Sequence, residues 1–292
     1  MSTVTDVKAG EDENEFTTIH HVYEPHKAGL PPVLPYFREL WRRREFAREA
    51  SKSDMKAANS LTVFGQVWLI LNPLLLAAVY YLLVNVIAGG KHRGMDYFAH
   101  LTAGLFTFYL VSGSMSTGAN SVVGGGKLLM NMSFPRLLLP LSAVRTAFFR
   151  FLPTMPVYFV FHILAGNPTS WRTLSALPFL VMLIGFSAGL AAFFATLQVY
   201  FRDTTSFMPY FVRIWLYLSP VIWLISDVPK RMAPFVHFNP VYPMLGGFTE
   251  ALVQGRVPGW HLWLEGTVFS IVVFTVGCWF FMSREREFAV RL

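Results

Sequence analysis

Charge vanishes from this chain in long stretches. Between Ala57 and Gly90 there is no Lys, Arg, Asp or Glu, and the centre of that run, from Trp68 to Tyr81, is too apolar to remain in water. Six such segments are predicted to span a bilayer, at about 63–88, 97–120, 137–164, 174–198, 207–225 and 263–282. The second ends in small residues from Ser112 to Ala119, which allow close helix packing. The third contains Pro140, Pro153 and Pro156, so kinks are expected where backbone donors are missing. Between the fifth and sixth, Met232 to Thr249 is uncharged but broken by Pro234, Pro240, Pro243, Gly246 and Gly247. That pattern predicts one or two short re-entrant helices over 232–250, dipping into the outer leaflet and buried against other protein.

The polar segments orient the spans. Residues 1–33 are acidic at Glu11–Glu15, then Pro-broken, and read as a flexible cytosolic tail. Residues 34–56 read as a basic amphipathic helix. Phe37, Leu40, Trp41 and Ala47 make an imperfect apolar stripe, with Arg44 and Arg48 projecting onto the same side. From Arg38 to Lys56 seven positive charges fall within nineteen residues, which places this end inside. With six spans, fifteen of the 24 Lys and Arg fall in inside segments, six outside and three within spans, so both ends are expected in the cytosol. The expected fold is an all-α polytopic membrane protein whose transmembrane domain covers 57–292.

Composition narrows the function. Of the 292 residues, 54% are hydrophobic and 14% charged, against roughly 25% charged in soluble domains. The net charge of +7 borders the apolar runs, so membrane topology explains it and nucleic-acid binding is not expected. The single cysteine, Cys278, excludes an intrachain disulfide. The first 35 residues lack an apolar core, so the first span is expected to serve as the targeting signal. His20, His21 and His26 cluster in the tail without the further ligands of a closed metal site.

No catalytic constellation emerges. Gly124–Lys127 has the look of a phosphate loop, but Ser121 stands where its first glycine belongs and Leu128 replaces the magnesium-binding Ser or Thr. Three arginines fall in spans, each costing about 2.5–3.5 kcal/mol at the bilayer centre. Arg145 and Arg150, in the inner half of the third span, are candidates for a phosphate or pyrophosphate head, with snorkelling to the interface as the plainer reading. Arg213, near the start of the fifth span, reads as snorkelling. The fifth span concentrates aromatics as Tyr210, Phe211, Trp215, Tyr217 and Trp223. Flat rings can line a path for sugar faces, or simply pack and anchor at interfaces.

Five motifs in order then carry a family resemblance: Phe64-Gly65 with Trp68 and Pro73, Phe134-Pro135 with Pro140, Tyr200-Phe201-Arg202-Asp203, Leu218-Ser219-Pro220, and Asn239-Pro240. Over about residues 35–292 the chain resembles the ABC-2 type permeases that export cell-surface polysaccharides, such as O-antigen, teichoic acid and mycobacterial galactan exporters. The resemblance implies a homodimeric channel with two copies of a separate ATPase subunit, which would bind ATP and Mg; this chain itself would hold no cofactor. It makes the basic helix an interface helix, with Phe37, Trp41 and Arg44 as candidate contacts. The loop 121–136 becomes a coupling loop, with Lys127, Asn131, Phe134, Pro135 and Arg136 as candidates. The similarity to actinobacterial members implies a galactan on polyprenyl pyrophosphate as substrate. Rival readings are an ABC-2 exporter of a drug or small lipid, and a membrane enzyme acting on a polyprenyl-linked sugar. The second lacks paired carboxylates. An ion-coupled transporter is disfavoured because no Asp or Glu lies deep in a span.

Overall fold

The structure, a computed structural model, describes residues 31–59, 62–87, 94–126, 134–224, 228, 231 and 233–292. The described chain is helical with no strand. Its helices are α1 (Val33–Arg42), α2 (Arg44–Asn59), α3 (Trp68–Leu82), α4 (Met95–Gly124), α5 (Leu138–Phe151), α6 (Thr154–Leu164), α7 (Ala176–Tyr200), α8 (Thr204–Leu218), α9 (Ala233–Val236), α10 (Tyr242–Gln254), α11 (Trp260–Arg284) and α12 (Phe288–Arg291). The tail histidines, Lys127 and Asn131 lie outside the described residues.

Among the described residues, four helical stretches are long and apolar enough to cross a membrane: Gly65–Asn85, Leu138–Leu164, Trp171–Tyr200 and Trp260–Glu287. The chain is a multi-pass membrane protein. Of the other two expected spans, α4 is 30 residues and about 45 Å long, but carries Asp96, His100 and a Ser- and Gly-rich later half. The fifth differs more. Instead of running to residue 225, α8 stops at Leu218, where Ser219 turns to extended backbone and Pro220 cannot continue the helix. Its 15 residues reach about 22 Å, short of the roughly 30 Å hydrocarbon core.

The core is built around α4 and α7. From Ala99 to Phe108 every residue of α4 is buried, and α7 packs between α4 and α11. Small residues set these crossings. A Cβ added to Gly118 on α4 would stand 2.6 Å from the Ala191 Cβ on α7, and one added to Gly189 on α7 or Gly277 on α11 would run into the other helix's backbone.

Two long elements are interrupted where the sequence supplies a reason. The third span breaks at Leu152–Pro153 between α5 and α6, while Pro140 and Pro156 fall harmlessly in first turns. The helix expected over 34–56 is two, α1 and α2, hinged at Arg43. This turn also divides the expected apolar stripe. Tyr36 and Leu40 face a core of α7 and α11 residues, whereas Phe37 and Trp41 point outward, Trp41 being 69% exposed.

In the segment expected to be re-entrant, α10 is buried continuously from Tyr242 to Thr249 against α7, α4 and α11, and ends on Gly255 in the left-handed region at φ 60°.

Candidate functional site

The aromatic residues of α8 face a chamber of about 790 Å³ between α7, α8 and the loop leading to α10. Phe211, Trp215, Tyr217 and Trp223 line it together with Phe193, Phe235 and Phe238. Tyr210 does not: it lies outside the lining and is 65% exposed. One amide fixes the wall. Asn239 Oδ1 accepts from Trp215 Nε1 at 2.9 Å and from the Val241 amide at 3.2 Å, while its Nδ2 donates to Leu218 O at 3.0 Å and Ser219 Oγ at 3.2 Å. Two sequence motifs, Leu218-Ser219-Pro220 and Asn239-Pro240, are thereby one structural unit. Trp223 Nε1 donates to Tyr217 O at 3.0 Å and holds the next ring.

A second cavity of about 390 Å³ lies among α3, α4, α5 and α6. Arg150 lines it with Asn72, Tyr109, Thr117 and Thr154, against apolar walls that include Trp68 and Phe106. The Arg150 Nε is buried and has no hydrogen-bond partner among the described residues. A guanidinium in such a setting offers charge and directed donors to an anion.

Arg145 is not brought to this cavity. Five helical positions separate the two arginines, a rotation of about 140° around α5. The Arg145 guanidinium carbon sits 4.8 Å from the centre of the Phe149 ring, on the face toward α2 and α3. Arg213 stays exposed on α8.

The third feature joins segments far apart in sequence at the end of the bundle that carries α1. The Tyr36 hydroxyl donates to Glu285 Oε2 at 2.6 Å and accepts from the Leu137 amide at 3.3 Å. Arg136 donates to the Glu285 backbone carbonyl, and Pro135 is buried. Phe46 of α2 meets Phe134 with ring centres 4.8 Å apart. Burial, and then the Glu285 carboxylate, push the Tyr36 phenol far above its ordinary value, so it stays a donor. Phe134, Pro135 and Arg136 therefore rest on α1, α2 and the turn after α11. Phe37, Trp41 and Arg44 remain on the outside, Arg44 covering the Trp41 ring at 4.8 Å.

Sequence reasoning missed Tyr36, Phe46 and Glu285 as members of this junction, and Asn239 as the brace of the chamber. Glu285 sits in Arg284-Glu285-Arg286-Glu287, which reads as a solvated charge run. For Asn239 the signal was present in its pairing with proline; its partners were not.

Helices long enough to cross a bilayer, packed around internal cavities, define a helical membrane protein of the transport class. Comparison with known proteins gives that class a more particular character. Over 228 residues, 76% of the chain and 86% of the relative, it is 27% identical to an O-antigen export system permease protein RfbA of Klebsiella pneumoniae. A second such protein of that organism is 24% identical over 226 residues, again 76% and 86%. The permease of the same name from Myxococcus xanthus is 24% identical over 259 residues, 88% of this chain and 99% of the relative. No family model matches the chain. The resemblance to ABC-2 type polysaccharide-export permeases read from its motifs stands on these relatives.

Proposed function

We propose that this chain is the channel subunit of an ATP-driven exporter that moves a lipid-linked cell-surface polysaccharide, a galactan on polyprenyl pyrophosphate being the specific candidate, from the cytosol to the outside. It works as a homodimer of six-span subunits with both termini cytosolic, each docking one ATPase subunit. The observation that carries this reading is the similarity to O-antigen export permeases across up to 88% of the chain.

The geometry supplies a physical route for each step. The junction of α1, Phe134–Arg136 and Glu285 is a rigid seat on which an ATPase can push, with Phe37, Trp41 and Arg44 as the exposed contacts. Force applied there passes directly into α5, which begins at Leu138 and carries Arg150 one to four turns on. Arg150 receives the pyrophosphate head in its cavity, where low surrounding polarity strengthens the ion pair. The glycan then slides along the aromatic chamber, whose rings offer flat apolar faces to sugar C–H groups and few hydrogen bonds to hold them back.

Purification of the chain in mild detergent, followed by mass spectrometry, tests the reading. The expected companions are an ATPase subunit and a polyprenyl-linked glycan. A chain that is stable alone, recruits no ATPase and retains no glycan overturns it.

A further inference from the structure

A third cavity, separate from the two above, opens where α2 meets the start of α3. It measures about 590 Å³ and its walls are apolar: Val67, Leu69 and Ile70 from α3 and the turn before it, Phe149 from α5, and Pro153 after it. Two ammonium groups stand at this groove. Lys52 and Lys56 are one helical turn apart on α2, on the same side as Met55. The seat of α2 is fixed, because Thr146 Oγ1 donates to Ser51 Oγ at 3.0 Å in a buried contact and Gln66 Nε2 donates to the Met55 carbonyl at 3.2 Å.

A third cation reaches the same wall. Arg145, Phe149 and Pro153 recur every four residues along one face of the third span, and the Arg145 guanidinium lies over the Phe149 ring that lines the groove. Its buried Nε has no hydrogen-bond partner among the described residues. The opposing charge is a single carboxylate on α2: Lys52 Nζ meets Glu49 Oε1 at 2.7 Å, but both side chains are more than half exposed, and such pairs hold weakly. An apolar slot with cations at its rim, beside a helix about to enter the bilayer, is complementary to a lipid whose chain is apolar and whose head is negative.

We propose that this groove binds an anionic phospholipid, with an acyl chain against Ile70 and Phe149 and the phosphate between Lys52, Lys56 and Arg145. A zwitterionic lipid fits less well, because its choline cation would face the same ammonium groups. The lipid wedges α2 against α3 and α5 and so ties the position of the basic helix to the composition of the surrounding leaflet. The proposal does not depend on the substrate assigned to Arg150, which faces a different cavity.

The test uses the full chain reconstituted in nanodiscs of equal phosphatidylglycerol and phosphatidylcholine, stripped into detergent and weighed by native mass spectrometry. The wild type retains phosphatidylglycerol in excess. K52Q and K56Q each lower that excess about five-fold, and I70W, which fills the slot without altering charge, removes both lipids. R150Q leaves the lipid ratio unchanged even if it abolishes export, which separates this site from the substrate cavity. Equal retention of the two lipids by the wild type, or an excess untouched by the K52Q/K56Q double variant, overturns the proposal. So does displacement of phosphatidylglycerol by stoichiometric polyprenyl pyrophosphate, which would make the groove a substrate site.

Discussion

The Tyr36 hydroxyl donates a 2.6 Å hydrogen bond to the carboxylate of Glu285, a residue 249 positions away, and the pair is buried. Because the same hydroxyl accepts from the Leu137 amide, its loss orphans a donor as well as an acceptor. Y36F is expected to cost about 1–3 kcal/mol of stability and to uncouple ATP hydrolysis from export, whereas E285Q, which keeps an acceptor oxygen, should cost less. Thermal unfolding in detergent and glycan export per ATP hydrolysed measure the two effects.

The raised phenol of Tyr36 gives this junction a defined alkaline limit. A group whose value is higher folded than unfolded stabilises fully below the unfolded value, near 10 for tyrosine, and that contribution is lost as pH rises above it toward the folded value. The unfolding midpoint should therefore show no Tyr36 contribution to pH dependence up to about pH 9, then a fall above about pH 10. Y36F should flatten that fall, and a Y36F profile parallel to wild type would count against the burial described.

Asn239 ties the end of α8 to the start of α10 through Trp215, Leu218 and Ser219. N239A leaves the Trp215 indole donor unpaired and should cost about 1–3 kcal/mol while loosening one wall of the chamber. W215F removes the donor along with the need for it and is expected to be milder. Near-ultraviolet circular dichroism of the tryptophans together with thermal unfolding distinguishes the two variants.

At the crossing of α7 and α11, Gly189 and Gly277 leave no room for a side chain, since an added Cβ on either would overlap the partner's backbone. G189A and G277A should each destabilise by about 1–3 kcal/mol or more, and G277L should fail to accumulate as folded protein. Size-exclusion chromatography of fluorescently tagged variants reads this directly.

R150Q removes the charge from the cavity among α3, α4, α5 and α6 and is expected to raise the KM for the lipid-linked substrate, with R150K intermediate because an ammonium lacks the planar fork. R145Q should change the KM much less, since its side chain faces Phe149 on another side of α5. Export assayed in proteoliposomes at varied substrate concentration separates them.

How far the sequence led depended on whether the signal was local. The charge-free runs behind α3, α7 and α11 needed only hydropathy, and Pro153 announced the break in the third span. The early end of α8 was hidden because Val221, Ile222, Trp223 and Leu224 keep the stretch apolar after Ser219-Pro220 has already stopped the helix. Hydropathy measures the solvent a segment prefers, and the backbone can leave the helix without changing it. The helical period alone would have separated Arg145 from Arg150, a difference of face that their closeness in sequence concealed. Tyr36 with Glu285 was beyond reach, because no property of either residue specifies a partner at the other end of the chain.

The Tyr36–Glu285 bond also imposes an order of events during synthesis. The ribosome delivers Tyr36 249 residues before Glu285, so α1 waits beside the growing bundle without its buried acceptor until the last long helix has been inserted. Only then can the seat for α1 close, and a truncated chain lacking α11 leaves the Tyr36 phenol exposed as a mark of incomplete assembly.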